Sequence, residues 1–279
     1  MIKIGDYNKL KIARKTDFGY FLAAGGRSSS EDILLPIKSA TSPELNIGDE
    51  VEVFIYRDSK DRPIATMKRP LAKVGDLAYL KVVSTTKIGS FIDFGLERDI
   101  LVPFKEKLYP LEEGKSYLFY IYLDKTGRIA ATTDIERYLD TADQYKVQDH
   151  VTGTVYGFQA NKNALVAVDN LYKGIILYTE YDTELEHGDI LNLTVIKIYE
   201  DGRLGLTPRK APKERRLEMQ DILLDYLHSN EGFMPFNDKS SPEEIQEVFH
   251  TSKNNFKRAL GGLMKRGLVI QDERGTRLK

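Results

Sequence analysis

The first 210 residues alternate between apolar and polar positions with the period of two that is typical of β-strands. Short runs rich in β-branched and aromatic residues are separated by turns that contain Gly, Asp and Asn. Such runs predict half-buried strands, because successive side chains of a strand point to opposite faces. About five of these runs fit into each stretch of roughly 70 residues, and this density predicts a small closed barrel.

One part of this pattern occurs three times along the chain. Each copy begins at a glycine, continues with a long strand-like run and a polar turn, and ends in a second short strand. The three glycines are Gly48, Gly114 and Gly188. A front half with its own turn and alternating run precedes each copy, so each repeat supplies the strands of one barrel. We place the three tandem five-stranded barrels at residues 1–69, 70–140 and 141–210.

Beyond the third barrel the pattern becomes helical. Two prolines and three basic residues between Thr207 and Lys213 predict a linker. Apolar residues at helical spacing then predict three helices, the second of which begins with Ser241 as its cap and Pro242 at its first position. A hairpin pattern follows, and three helices with a hairpin are typical of a winged-helix domain, placed at residues 211–279. The chain is therefore predicted to be mainly β, with an α+β domain at its C-terminal end.

The composition excludes several kinds of chemistry. The sequence contains no cysteine, which excludes disulfides, thiolate nucleophiles and Cys-ligated metal centres. The four histidines are scattered without a second ligand at metal spacing, and no acidic cluster resembles the metal site of a nuclease. We therefore expect no cofactor, no bound metal and no enzymatic activity.

Hydropathy and charge limit the location and the partners of the protein. No stretch approaches the ~20 apolar residues of a membrane span, and the N-terminus lacks the apolar segment of a signal peptide. We expect a cytoplasmic monomer that does not contact a membrane. The 41 basic and 42 acidic residues leave a net charge of −1. This balance argues against tight nonspecific binding through many phosphate contacts.

Several aromatic residues are predicted to face away from the barrel cores. Alternation places Ile92 and Phe94 on one side of their strand and leaves Phe91 and Asp93 on the other. Because a carboxylate is rarely buried, Phe91 is expected to be exposed, and the same count exposes Phe21. A phenylalanine in a strand more often belongs to a core. An exposed ring, however, can stack on a nucleobase, which is worth ~1–3 kcal/mol per base.

At these positions the repeats resemble the S1 RNA-binding motif, the OB-type barrel of ribosomal protein S1. That motif combines Asp-Phe-Gly-x-Phe with an Asp-x-x-x-Arg turn between strands 4 and 5. The matching residues are Phe18, Phe21, Asp58 and Arg62 in the first copy, Phe91, Asp124 and Arg128 in the second, and Arg203 in the third.

The resemblance implies that the rings stack on bases and that the arginines contact phosphates. Two departures from the motif are visible in the first two copies. Pro36 and Pro103 stand where the motif has histidine, and Ile88 replaces the first phenylalanine of the second copy. The aromatic positions of the third copy read Ala or Leu, so the third barrel is expected to be degenerate and structural.

Three such barrels followed by a winged helix resemble the conserved virulence factor B family of low-GC Gram-positive bacteria. The resemblance covers the whole chain and includes the sequence segment from Ser252 to Gly261. It implies a cytoplasmic RNA-binding protein that influences the expression of virulence genes.

The third predicted helix and the hairpin carry basic and amide side chains that suit a nucleic acid. These residues are Lys253, Asn254, Lys257, Arg258 and Arg274. A solvated helix face explains them equally well. Our leading hypothesis is a non-catalytic protein that binds single-stranded RNA. The alternatives are a transcription regulator that reads duplex DNA through this helix, and a scaffold for ribosome or RNA-decay proteins.

Overall fold

The architecture is mainly β, as the alternating pattern predicts. The computed structural model describes residues 2–25, 31–41, 45–209 and 212–279. The chain divides into two compact units, Met1–Pro208 and Arg209–Lys279. In the described residues of the first unit, 15 strands form three closed five-stranded barrels. The repeat therefore predicted both the type and the number of these elements.

The strands of the three barrels follow one another in chain order. Barrel 1 contains β1 (Tyr7–Thr16), β2 (Gly19–Leu22), β3 (Ile33–Pro36), β4 (Glu50–Arg57) and β5 (Pro63–Thr66). Barrel 2 contains β6 (Leu77–Thr86), β7 (Gly89–Ile92), β8 (Ile100–Pro103), β9 (Ser116–Leu123) and β10 (Ile129–Thr132). Barrel 3 contains β11 (His150–Phe158), β12 (Ala164–Val168), β13 (Tyr172–Ile176), β14 (Ile190–Ile198) and β15 (Leu204–Thr207). In each barrel the first strand pairs with the second and the fourth, and the third pairs with the fifth in parallel.

A β-bulge interrupts the first strand of every barrel at the same place. The register shifts between Ile12 and Arg14, between Val82 and Ser84, and between Val155 and Gly157. A bulge bends its strand and increases the local twist, which helps a short sheet to close. The bulges also align the repeats. Phe21, Phe91 and Leu165 occupy one equivalent position, directly opposite Arg14, Ser84 and Gly157.

Barrels 1 and 2 pack directly on each other. Phe54 points away from the core of barrel 1, because its neighbours Val53 and Ile55 fill that core. The Phe54 ring is fully buried in the cluster of barrel 2, with its centroid 6.1 Å from that of Phe94. Ile92 and Phe94 belong to this same core, as the alternation predicts.

Barrels 2 and 3 pack through their outer faces. Leu118 on β9, Tyr156 on β11 and Ala167 on β12 form one buried cluster with Ile135 and Leu139 from the connecting segment. Beside this cluster the His187 ring stacks on Tyr109, with centroids 3.8 Å apart and planes 19° apart.

The stacked His187 ring is expected to make this junction sensitive to acid. Burial holds the pKa of His187 below its ordinary value of 6.5, so the folded state favours the neutral ring. Burial of the neutral His187 ring therefore stabilises the folded protein fully above pH 6.5, and this contribution to the free energy of unfolding is lost as the pH falls below 6.5. Thermal unfolding measured at pH 7 and pH 5 is expected to show a smaller fall of the melting temperature in His187→Phe than in the wild type. An equal fall in both proteins would contradict this assignment.

The second unit is a winged helix, as predicted. Its elements are α1 (Pro212–Ser229), β16 (Phe233–Met234), α2 (Pro242–Phe249), α3 (Lys253–Lys265), β17 (Val269–Asp272) and β18 (Gly275–Leu278). The predicted cap of α2 is present: the Glu244 N–H donates to Ser241 Oγ at 3.1 Å, and the Ser241 N–H donates to Glu244 Oε2 at 2.8 Å. Strand β16, which pairs with β18, was not predicted because it is only two residues long.

The predicted linker is shorter than the sequence suggests. Thr207 ends β15, while Pro212 and Lys213 begin α1, where proline is favoured because it needs no N–H partner. The predicted boundary between residues 210 and 211 lies outside the described residues. No helix in the described ranges is both long enough and apolar enough to cross a membrane.

Candidate nucleic-acid interface

A groove of ≈ 620 Å³ on barrel 1 brings together the four residues predicted for the first copy. Phe18, in the turn between β1 and β2, is 61% exposed. Its ring meets that of Phe21 edge to face, with centroids 6.0 Å apart. Asp58 and Arg62 line the same groove. The arrangement offers an aromatic surface next to a cationic group.

The predicted exposure of Phe21 and Phe91 is only partial. Both rings point outward, as predicted, and each is half-buried. The guanidinium carbon of Arg14 lies 3.5 Å from the centroid of the Phe21 ring and covers one of its faces. The reason is the register beside the bulge, which sets Arg14 directly opposite Phe21. Phe18 is therefore the most accessible of the three predicted rings.

Asp58 and Arg62, at the two ends of the turn between β4 and β5, form an ion pair. Arg62 donates to Asp58 Oδ2 from Nε at 3.0 Å and from Nη2 at 2.7 Å, while the backbone N–H of Lys60 donates to Oδ1 at 2.8 Å. Burial raises the pKa of Asp58, but the hydrogen bonds from Arg62 and Lys60 lower it further, and the net pKa is lowered. The Arg62 charge is thus already balanced by a carboxylate.

The second groove, of ≈ 560 Å³, lies between barrels 1 and 2. Barrel 2 contributes Phe91, Asp124 and Arg128, which are the predicted residues of the second copy. Ile88, at the position of the missing phenylalanine, is exposed at this groove. Barrel 1 contributes Tyr56, Arg57, Asp58 and Ser59.

The guanidinium of Arg128 bonds to barrel 1, while its backbone N–H donates to Asp124 Oδ1 of its own turn at 3.0 Å. Its Nη2 donates to Asp61 Oδ2 of barrel 1 at 2.9 Å, and its Nε donates to the other oxygen of that carboxylate. The hydrogen bond from Arg128 lowers the pKa of Asp61. Next to this pair, Arg57 Nε donates to the carbonyl oxygen of Gly127 at 3.1 Å. Sequence reasoning missed Asp61 and Arg57 because their partners lie 67 and 70 residues away, where no local spacing reports them.

Barrel 3 has no aromatic residue at the position that Phe21 and Phe91 occupy in the other two barrels, as its sequence indicates. Leu165 takes the position of Phe21, and this residue packs against the cluster shared with barrel 2. Tyr199 takes the position of Asp58, since its N–H donates to the Arg203 carbonyl as the N–H of Asp58 donates to that of Arg62. The predicted Arg203 pairs with Asp201, Nε to Oδ2, at 2.8 Å.

A different aromatic groove occurs on barrel 3. Tyr178 is 52% exposed, its ring centroid lies 5.7 Å from that of Tyr181, and Lys162 Nζ lies 5.4 Å from the Tyr178 centroid. These residues stand outside the positions of the S1 motif, which is why sequence reasoning missed them. Tyr178 begins the short 3₁₀ turn after the third strand, as the exposed Phe104 does in barrel 2. An aromatic residue directly after the third strand in two of the repeats is the sequence feature that could have indicated this groove.

The winged helix presents part of the predicted basic set to solvent. Asn254, Lys257 and Arg258 are exposed on α3, and Arg274 is exposed in the turn between β17 and β18. Lys253 is half-buried, with its Nζ 3.5 Å from the carbonyl oxygen of Lys239. Asn254, Lys257 and Arg258 lie three and four positions apart, so they share one side of the helix.

Comparison with known proteins agrees with this organisation. The S1 domain family matches residues 4–68 and 74–134, and the CvfB-like winged helix domain family matches residues 221–278. The uncharacterized protein YitL of Bacillus subtilis (strain 168) is 36% identical, over 98% of this chain and 92% of its own. Conserved virulence factor B of Staphylococcus epidermidis is 29% identical over 82% and 80% of the two chains. The chain belongs to the conserved virulence factor B family.

A solved structure of the same size extends the likeness to the whole fold. It is a multidomain protein with nucleic acid binding domains from Streptococcus pneumoniae, 28% identical, with a TM-score of 0.53. The alignment covers 99% of this chain and 98% of that one. The family membership expected from the repeats is therefore confirmed. The S1 and winged-helix domains of the family favour nucleic-acid binding as the class of function.

Proposed function

We propose that this protein binds single-stranded RNA without catalysing a reaction on it. The observation that carries the proposal is the outward aromatic surface of barrels 1 and 2, formed by Phe18, Phe21 and Phe91 beside the Asp-x-x-x-Arg turns. The match of the S1 domain family to both barrels supports it. The proposed domains are residues 1–69, 70–140, 141–210 and 211–279.

The chemistry of the grooves favours unpaired bases over a duplex. A ring can stack on a base only where the face of that base is free, and in a duplex both faces are covered by neighbouring pairs. The predicted phosphate contacts Arg62 and Arg128 are each paired with a carboxylate. Stacking therefore supplies most of the affinity, and binding is expected to depend weakly on salt.

The cellular role that we propose is post-transcriptional regulation in the cytoplasm. A protein that holds unpaired RNA by its bases competes with RNA structure and with other proteins for the same segment. The relatives named conserved virulence factor B suggest that the regulated genes include virulence factors.

A competition titration tests the proposal. Labelled single-stranded RNA on the full-length protein is displaced by unlabelled single-stranded RNA, duplex RNA or duplex DNA, each at 50 mM and 200 mM salt. We expect single-stranded RNA to compete at least about tenfold better at both salt concentrations. Duplex DNA as the best competitor would favour the DNA-binding alternative through α3. Capture of ribosome or RNA-decay proteins that survives nuclease treatment, without RNA binding, would favour the scaffold.

Asp61 is expected to restrain RNA binding, because its carboxylate occupies the Arg128 guanidinium. Asp61→Asn removes the competing charge, while the Arg57 bond to Gly127 and the packing of Phe54 still hold the two barrels together. We expect a several-fold higher affinity and a salt dependence steeper by about 0.7 in slope, the value of one further phosphate contact to a single strand. Titrations at four salt concentrations measure both quantities.

The matched control for this variant is Asp143→Asn, which removes the same charge from an exposed position outside both grooves. If Asp61→Asn and Asp143→Asn change the affinity and the slope equally, only net charge is acting and Arg128 makes no new contact.

A further inference from the structure

We infer that barrels 1 and 2 hold a single RNA strand in one continuous track, whose midpoint is the pair of Asp-x-x-x-Arg turns. The inference rests on the proposed function and adds to it the path and the length of the RNA. Two separate binding sites would need no contact between the turns, whereas a shared track requires that the two grooves meet.

The turns of the two barrels are bonded directly to each other. Arg57, at the end of β4, donates to the Gly127 carbonyl in the turn of barrel 2. Arg128, at the end of that turn, donates to the Asp61 carboxylate in the turn of barrel 1. Each barrel thus donates a hydrogen bond to the turn of the other, and the two turns are held together as one junction.

The two grooves meet at this junction of the two turns. Asp58 lines the groove that contains Phe18 and Phe21, and it also lines the groove that contains Phe91. Ser59, the next residue, is exposed and extends the wall of the second groove. An RNA strand that passes from the Phe21 ring along the turn containing Asp58 therefore enters the groove that contains Phe91.

The charges along this path suit a polyanion that is held mainly by its bases. At the junction the carboxylates of Asp58 and Asp61 are balanced by Arg62 and Arg128. Further along the second groove Arg98 is exposed, and it adds a cation that the S1 motif did not predict, next to the carboxylate of Asp99. The RNA backbone thus crosses a path whose charges are nearly balanced, so the bases supply most of the affinity.

The relative position of the two stacking sites is fixed by packing. Phe54 is fully buried between the barrels, and Glu97 of barrel 2 pairs with Lys38 at 2.9 Å and with Lys68 at 3.6 Å from barrel 1. A strand bound at the first site therefore finds the second at a set distance. Such linkage raises affinity without new contacts, because the second binding step becomes intramolecular.

Binding of uridine oligonucleotides of increasing length to the full-length protein tests the track. One OB fold covers as few as about 4 nucleotides, so an oligomer of about 5 nucleotides fills one site and one of about 16 nucleotides is long enough to reach two. We expect the 16-mer to bind at least roughly a hundredfold more tightly than the 5-mer, which exceeds the gain of about tenfold that a longer homopolymer gives to a single site by offering it more registers. Phe91→Ala is expected to lower the number of bound 5-mers by one and to remove the gain of the 16-mer, as measured by calorimetry.

A charge placed on the junction tests the path itself. Ser59→Glu adds a carboxylate where the strand passes, and we expect it to reduce the affinity of the 16-mer at least about fivefold while the 5-mer changes less than twofold. Thr152→Glu is the matched control, since it adds the same charge at an exposed position of β11 outside both grooves.

Three results would overturn the track. They are a 16-mer that binds at most about tenfold more tightly than a 5-mer, as a single site would give, a gain with length that Ser59→Glu leaves intact, and equal effects of Ser59→Glu and Thr152→Glu. In each of them the 5-mer still binds, so the proposed RNA-binding function stands. Failure of both oligonucleotides to bind would instead reject the proposed function, and the track with it.

Discussion

Replacing Phe21 and Phe91 together with alanine is expected to weaken the binding of single-stranded RNA by roughly a hundredfold. Each ring is assigned one stacked base, worth ~1–3 kcal/mol, so each loss alone costs about fivefold to 150-fold in affinity, and two losses near tenfold each give roughly a hundredfold. Both rings point away from their barrel cores, and their removal leaves those cores filled. Fluorescence titration of a labelled single strand against each single variant and the double variant measures the effect.

The control for these variants is an exposed apolar side chain on the same barrel that lines neither groove. Ile47, which is 66% exposed, meets this description, and Ile47→Ala is expected to bind RNA like the wild type. Circular dichroism shows whether each variant is folded. Unchanged affinity in a folded Phe21→Ala/Phe91→Ala protein would remove the stacking role and the main support for the proposed function.

The fold could be read from the sequence because its signals are local. Alternation identified the strands around Ile92, and the Ser241–Glu244 capping box identified the start of α2. Both depend on residues within a few positions of each other, so no knowledge of distant contacts was needed. The repeat then supplied the number of barrels, since three copies of one strand pattern require three copies of one fold.

The state of the candidate site was only partly predictable, because it depends on contacts between repeats. Alternation gave the outward direction of Phe21, but the cover provided by Arg14 follows from the bulge register. The motif gave Arg128, but its partner Asp61 belongs to another barrel. Barrel 3 has no outward ring at the position of Phe21, and packing accounts for this, since Tyr156 and Ala167 of the same face are buried against barrel 2.

Phe54 shows the limit of the alternation argument. It lies on the outer side of its strand, as Phe21 does, and the same reasoning would make it a stacking residue. Its exposure decides the matter: Phe54 is fully buried against barrel 2, whereas Phe21 is half-buried beside an open groove. An outward ring therefore predicts a contact, and only the neighbouring domain shows whether that contact is with RNA or with protein.

Phe54→Ala is accordingly expected to affect stability first and RNA binding second. Removal of a fully buried phenylalanine typically costs about 3–5 kcal/mol, because the apolar contacts are lost and a cavity remains. Urea unfolding is expected to show this loss. Phe18→Ala, which removes an exposed ring, is expected to change the free energy of unfolding by less than about 0.5 kcal/mol. A change of less than about 1 kcal/mol in Phe54→Ala would show that barrels 1 and 2 do not depend on this packing.

The two phenylalanine variants are also expected to separate the two contributions to RNA affinity. In Phe54→Ala the stacking rings remain, so a 5-nucleotide RNA is expected to bind as it binds the wild type under conditions where the variant is folded. The higher affinity of a 16-nucleotide RNA over a 5-nucleotide RNA is expected to become smaller, because the distance between the two stacking sites is no longer fixed. Phe18→Ala is expected to do the reverse: the 5-nucleotide RNA at the barrel 1 site and the 16-nucleotide RNA weaken by a similar factor, while the distance between the sites is unchanged. If Phe54→Ala kept the full gain with length, the junction turns alone would have to hold the barrels in register.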